Sequence, residues 1–460
     1  MCVLLLRLPF DILEHLVESL ERPDLLSLAL SCSTWKNIII PHHLEYREIS
    51  MSIDHYSIWR HLAERPSLAA NVRKLVVTEP DPYHPSLSFM PTNCPRLQVP
   101  TTLVPLSLSR GSIPRERHPD YPLRALRNMR LLKTLEFENI SRLSQGSPDT
   151  LSLFLAHIPS VENLILKSSR ARGVEIEGNF EVVQPVWKFP NLKSAMLTGL
   201  PWDRKYVRPF RSALLSSSDL QVLHLPHFVG YTSEVASTLN ECRFPSLIEL
   251  NLGWGWTFET YHFAQRFLEA HPTIENLTWS CAYNVNLRQG SLPNLKHLSV
   301  SHLSFVRALS GARGPDDSKL CLETLGDLFL FSTDLPADLQ DINGTSVHKL
   351  SIKFCDSLAT LRAVASFFPA VTHLSIHGSV FIRPKSRWSR AFRKLIRRIF
   401  PHRFANRISS ISPRVEDVLP LFPELEDLSG SSFPHGIAAS SLQDIRVRFP
   451  KLRRLEPFDL

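Results

Sequence analysis

The 460-residue sequence predicts an α/β fold: an array of short parallel strands alternating with helical or irregular crossovers, preceded by a small all-α module. Three observations lead there. A six-residue phrase (apolar, two variable residues, Leu, one variable residue, apolar) recurs along most of the chain. In the middle of the array its copies stand 21 to 31 residues apart, room enough for a crossover between parallel strands. The first 50 residues lack the phrase and place apolar side chains at helical spacing instead.

The phrase reads PSVENLIL from Pro159, PNLKSAML from Pro190, SDLQVLHL from Ser218, PSLIELNL from Pro245, PTIENLTW from Pro272, PNLKHLSV from Pro293 and PAVTHLSI from Pro369. Without a leading proline it reads LLKTLEF from Leu131, LETLGDLFL from Leu322 and VHKLSI from Val347, and weaker copies begin at Val72, Leu425 and Leu452. Taken at its first apolar position, the middle of the array steps 132, 161, 192, 220, 247, 274, 295, 325, 347, 371. The Leu and the apolar residue after it are two apart, so both point to one face of a strand, the interior. Proline ahead of a copy suits the start of a strand because it cannot continue a preceding helix. Some crossovers are expected to be helical, for example Tyr261 to Ala270 with Phe263, Phe267 and Leu268 on one side.

Over residues 70–455 the repeats resemble the leucine-rich-repeat family. That resemblance implies an irregular solenoid with strands on a concave face and helices or loops on the convex one. The family's asparagine after the strand is missing, with Ile140, Leu200 and Leu303 in its place, so no regular asparagine ladder is expected. Strand alternation then presents a substrate face of Glu136, Asn163, Lys167, His224, Glu249, Asn251, Asn276, His297, Asp327, Phe329, Phe331, Lys349, Lys353, His373 and His377. Phe329 and Phe331 are the expected exposed anchors, with Trp254 and Trp256 a second possibility. The four histidines spread over too many repeats to form one metal cluster.

Residues 8–49 place Ile12, Leu13, Leu16, Val17 and Leu20 at three- and four-residue spacing after Asp11, and Pro23-Asp24 open a second helix. The stretch resembles an F-box: Leu8-Pro9 at the opening, Ile12, Leu16 and Leu20 on the first helix, Asp24-Leu25-Leu26, then Cys32 and Trp35. Tyr46 within LEYREI matches the usual exit. The resemblance implies docking on the adaptor subunit of an SCF ubiquitin ligase, and through it a cullin. Leu8, Pro9, Ile12, Leu16, Leu20, Leu25, Leu26 and Trp35 would contact or support that interface, while the repeats hold a protein substrate. The alternative is a repeat scaffold that never enters a ligase, residues 8–49 being its helical cap.

The expected organisation is a helical module over 1–50, a connecting helix and first repeat over 51–79, a proline-rich loop over 80–122, and repeats over 123–460 with a basic amphipathic insertion at 383–407. Ten Lys or Arg and no acid fall in 383–407; they account for the net charge of +8 and leave the rest near neutral, against a global nucleic-acid role. In that insertion Trp388, Phe392, Leu395, Ile396 and Ile399 share one helical side and the basic residues the other. It reads either as a helix laid on the repeats or as a contact to an anionic membrane or nucleic acid. Seven cysteines without paired spacing give neither a disulfide framework nor a zinc site. No phosphate loop, nucleophile elbow or HExxH occurs, so the expectation is a non-catalytic subunit without cofactor, metal or small-molecule substrate. The apolar start at Met1 to Leu6 is too short for a signal peptide or membrane span, which predicts a cytoplasmic or nuclear protein.

Overall fold

The computed structural model describes residues 9, 12–13, 16–17, 20, 22–40, 47–52, 55–78, 121–138, 155, 158, 160–167, 187–198, 201–202, 204–226, 229–230, 232–253, 261–279, 287–288, 290–300, 309, 320–330, 339, 342–355, 357–376, 415–429, 444–445 and 447–455. The chain forms two compact units, Met1–Arg170 and Ala171–Leu460. The basic segment 383–407 and residues 80–120 of the proline-rich stretch lie outside the described residues. Tyr121 and Pro122 already open a helix, with the proline in its first turn where the missing N–H has no intrahelical partner to lose.

In the first unit, Ile12, Leu13, Leu16 and Val17 are helical, and the Pro9 carbonyl accepts from the Ile12 and Leu13 N–H groups at 3.0 and 3.1 Å. Helices α1 (Arg22–Ser31) and α2 (Ser33–Ile39) follow. Then come β1 (Glu48–Ser52), α3 (Tyr56–Glu64), α4 (Pro66–Ala70), β2 (Lys74–Thr78), α5 (Tyr121–Asn128), β3 (Thr134–Glu138) and β4 (Asn163–Lys167). The four strands are parallel and adjacent in chain order. Strand β1 was not expected: it crosses the boundary at residue 50 and carries no leucine, yet Ile49 and Met51 align with Leu75 and Val77.

The second unit contains β5 (Ser194–Thr198), β6 (Pro201–Trp202), α6 (Arg204–Leu215), β7 (Val222–Leu225), β8 (Val229–Gly230), α7 (Thr232–Glu241), β9 (Glu249–Leu252), α8 (Tyr261–Glu269) and β10 (Asn276–Trp279). It continues with β11 (His297–Val300), β12 (Thr324–Leu330), β13 (Lys349–Cys355), α9 (Leu358–Phe367), β14 (His373–Ile376), α10 (Val415–Val418), β15 (Asp427–Ser429) and β16 (Arg454–Leu455). Strands β6 and β8 pair with each other; the others run parallel in chain order. In β5, β7, β9, β10, β11, β13 and β14 the phrase's Leu position and the apolar residue two further on are buried, as Leu250 and Leu252 or Leu277 and Trp279 are; in β12 Leu325 is followed inward by Leu328. The helix expected from Tyr261 is α8, with Phe263, Phe267 and Leu268 inward.

One register needs correction. Leu325 pairs with Leu298 and Leu350, so it holds the Leu position of its copy, not the first apolar one. The first position belongs to buried Leu322, and the steps from 295 to 322 and from 322 to 347 become 27 and 25 residues. The array is therefore more even than the sequence suggested.

Its regularity comes from the backbone. In both units the carbonyl just before each strand accepts two N–H groups of the next repeat: Arg73 O from Lys133 and Thr134, Ile248 O from Glu275 and Asn276, His348 O from Thr372 and His373. A second ladder lies three residues ahead of each first apolar position, where Phe189, Phe244, Leu292, Phe368 and Phe422 are buried.

His271 occupies that ladder position and is 1% exposed. Its Nε2 accepts from the Phe244 N–H at 3.0 Å and its Nδ1 donates to the Phe267 carbonyl at 2.6 Å, so these partners fix the neutral tautomer. Burial holds its pKa below the ordinary 6.5, outweighing the bond to Phe267. The stabilisation is thus complete above pH 6.5 and lost as pH falls through the depressed folded value. His271→Leu should lower stability at pH 8 by about 1–3 kcal/mol, from the two orphaned backbone groups. It should also flatten the decline between pH 7 and 5, read by denaturant titration of both proteins.

Candidate docking surfaces

The helical module is held by a six-residue core of Leu13, Val17, Leu25, Ala29, Trp35 and Ile39, with Leu20, Leu28, Cys32 and Ile40 packed at its margin. Leu25 and Ala29 are four apart and point inward. On the same helix Leu26 and Leu30, also four apart, point outward at 48% and 73% exposure, and Ile12 is 53% exposed. Among the residues anticipated for docking, Pro9, Ile12 and Leu26 are thus exposed, Leu16 and Leu20 half-buried, and Leu25 and Trp35 in the core. Leu8 lies outside the described residues. Leu30 was missed, because spacing alone gives it no advantage over Leu28 or Ala29.

The second surface is the outward side of the strands. In the first unit, Glu136 accepts from Lys167 at 2.5 Å and Asn163 Nδ2 donates to Thr134 Oγ1 at 3.3 Å. The Glu136 hydrogen bond raises the Lys167 pKa above 10.5, so this lysine stays charged. In the second unit, His224 Nε2 lies 2.7 Å from Glu249 Oε1, and His297 Nδ1 2.9 Å from Thr324 Oγ1. Asp327 Oδ2 accepts from Ser299 Oγ at 2.8 Å and from Lys353 Nζ at 2.9 Å. Asn251 and Asn276 lie between these groups, on β9 and β10. Lys349 and His373 stand side by side on β13 and β14, both exposed. Phe329 is half-buried beside Phe354, not freely exposed, because β12 and β13 are paired there. Phe331, His377, Trp254 and Trp256 lie outside the described residues.

Burial pushes the Cys242 thiol up to about 12, and it donates to the Thr238 carbonyl. Among the described residues no three His, Cys, Asp or Glu side chains gather as a metal site, and no helix is long and apolar enough to cross a membrane.

These surfaces define a repeat protein of parallel strands and crossovers led by a helical docking module. The module has a family: residues 5–44 match the F-box domain, so the chain carries one at its N-terminus. F-box domains bind Skp1-type adaptors and thereby a cullin. No curated protein matches the sequence.

Proposed function

We propose that this chain is the substrate-recognition subunit of an SCF-type ubiquitin ligase. Its F-box docks on the adaptor through Leu8, Pro9, Ile12, Leu16, Leu20, Leu26 and Leu30, supported from beneath by Leu25 and Trp35. Repeats of the leucine-rich type, arranged as a solenoid, present the outward strand side to a target protein, and ubiquitin transfer is the work of other subunits. The observation that carries the reading is an F-box whose core is complete while Ile12, Leu26 and Leu30 stay exposed. Large apolar side chains left outside a filled core mark a protein interface.

Leu26→Asp tests this. The side chain is outside the core, so the change should alter stability by no more than about 0.5 kcal/mol. Placing a charge in an apolar interface should weaken adaptor binding by about 2 kcal/mol or more, roughly thirtyfold. Calorimetric titration of the full chain with the adaptor reads the difference. Equal affinity of wild type and variant, or no binding by either, would remove the proposal.

A further inference from the structure

Asp327 is the one described non-glycine residue with a left-handed backbone, at φ 60°. It sits where the β12–β13 register shifts, between Leu325 and Leu328. A bulge of this kind re-aims a side chain, and a strained residue on an open face invites a functional explanation. Here the aim is visible. Ser299 on β11 and Lys353 on β13 both bond Oδ2, while Oδ1 receives no hydrogen bond from any described residue and is not sealed from solvent.

Glu249 repeats the arrangement on β9. His224 holds its Oε1, Oε2 receives no bond from any described residue, and the side chain is 39% exposed. Two carboxylates, each fixed by one oxygen and open at the other, therefore face outward three strands apart. At about 4.8 Å per strand that is roughly 14 Å across the strands, and because Thr324 shares Glu249's row, Asp327 lies roughly 7–10 Å further along, about 16 Å away in all. Between them the outward residues are uncharged. Asn251 and Asn276, two of these, each have a carboxamide oxygen that is buried and unpaired. These oxygens are sealed from solvent, but the carboxamide nitrogens are not among the buried atoms, and a carboxamide N–H can donate to the C=O of a peptide group. The cations at the margin are engaged: Lys296 with Glu275 at 2.9 Å and Lys353 with Asp327.

We infer that β9–β12 hold an extended target segment carrying two basic side chains about four residues apart, one on Glu249 and one on Asp327. Four extended residues span about 14 Å, and the two long basic side chains cover the remaining few ångströms to the carboxylates. Ser299, Lys353 and His224 are positioning residues; Asn251 and Asn276 meet the main chain between the two basic residues. This deepens the proposed function by giving the target's chemistry.

The probe is a set of fluorescent Gly/Ser/Val peptides with two arginines at graded separations, titrated against the full chain by anisotropy. Binding should be tightest at a separation of four, weaken with salt, and vanish when glutamates replace the arginines. The double variant Glu249→Gln/Asp327→Asn should lose about tenfold or more at an unchanged melting temperature. Asp327→Gly relieves the backbone, so it should bind worse while melting no lower, an outcome a merely structural aspartate would not give. No peptide binding, binding indifferent to separation, or equal affinity in the double variant would overturn the inference. Leu26→Asp should leave peptide binding unchanged. Failed peptide binding with intact adaptor binding removes the target chemistry alone, and failed adaptor binding removes the ligase reading alone.

Discussion

Replacing Trp35 with Ala is expected to melt the helical module and abolish adaptor binding while the strand arrays stay folded. Trp35 is fully buried at the centre of a six-residue core, and Trp→Ala in a core costs about 3–5 kcal/mol. A module of about 40 residues holds only some 2–6 kcal/mol in all. The loss is therefore comparable to everything that keeps α1 and α2 in place. Hydrogen exchange should show residues 22–40 losing protection, with β9–β14 unchanged. Trp35→Phe separates packing from chemistry. It keeps most of the ring volume and removes an indole N–H that has no partner among the described residues, so its cost should stay near 1 kcal/mol and adaptor binding should persist. The contrast with Leu26→Asp is diagnostic: that variant should lose binding with full exchange protection, whereas Trp35→Ala loses both. Full protection in Trp35→Ala would show that the module is held by something other than this core.

The inward residues of the strands were legible because period two leaves no freedom once Leu and its apolar partner are spaced by one residue. Three features were not. The copy at Leu322 offers apolar residues at 322, 325, 328 and 330, so its register could only be set by the neighbours that Leu325 pairs with. Strand β1 has no leucine and is recognised by pairing alone. The buried ladder of Phe189, Phe244, Phe368 and Phe422 was present as a repeated Phe-Pro ahead of the phrase. A proline at that place also serves to stop the previous helix, so the pair does not by itself mark the aromatic as a core position.

The docking surfaces divide the same way. Spacing placed Leu25, Leu26, Ala29 and Leu30 on one helix, but which pair faces the core depends on where Val17 and Trp35 arrive. On the strands, alternation identified Glu249, Asn251, Asn276 and Lys353 as outward. It could not reveal that His224 meets Glu249, or that Ser299 and Lys353 converge on Asp327, since these partners are 25 to 28 residues apart in sequence and meet through register. The bulge at Asp327 is less legible still. After Leu325 an ordinary strand would turn residue 327 inward, but here Leu328 does so, one residue late.

Gly344 is expected to be among the least replaceable residues of the second unit. It lies in the turn Asn343–Thr345 ahead of β13, where Asn343 Oδ1 accepts from the Thr345 N–H at 3.3 Å. A Cβ at position 344 would fall on the Phe367 carbonyl oxygen and 2.9 Å from its carbon. Phe367 ends α9, and Phe368 beside it belongs to the buried aromatic ladder, so neither backbone can yield without disturbing the core of the next repeat. Overpacking usually costs about 1–3 kcal/mol, and a clash with backbone belongs at the top of that range. Gly344→Ala should therefore lower the melting temperature by several degrees, with exchange protection lost first across β13 and β14. Two other glycines calibrate the result. Gly326→Ala meets Ser299 Cβ at an ordinary 3.6 Å and should be close to neutral. Gly290 has open space but a φ of +74°, so Gly290→Ala should cost only about 1 kcal/mol of backbone strain. The expected order of stability is Gly326→Ala, Gly290→Ala, Gly344→Ala. If Gly344→Ala melted no earlier than Gly290→Ala, the close seating of the turn against the end of α9 would be wrong, because space rather than backbone conformation is what sets these three positions apart.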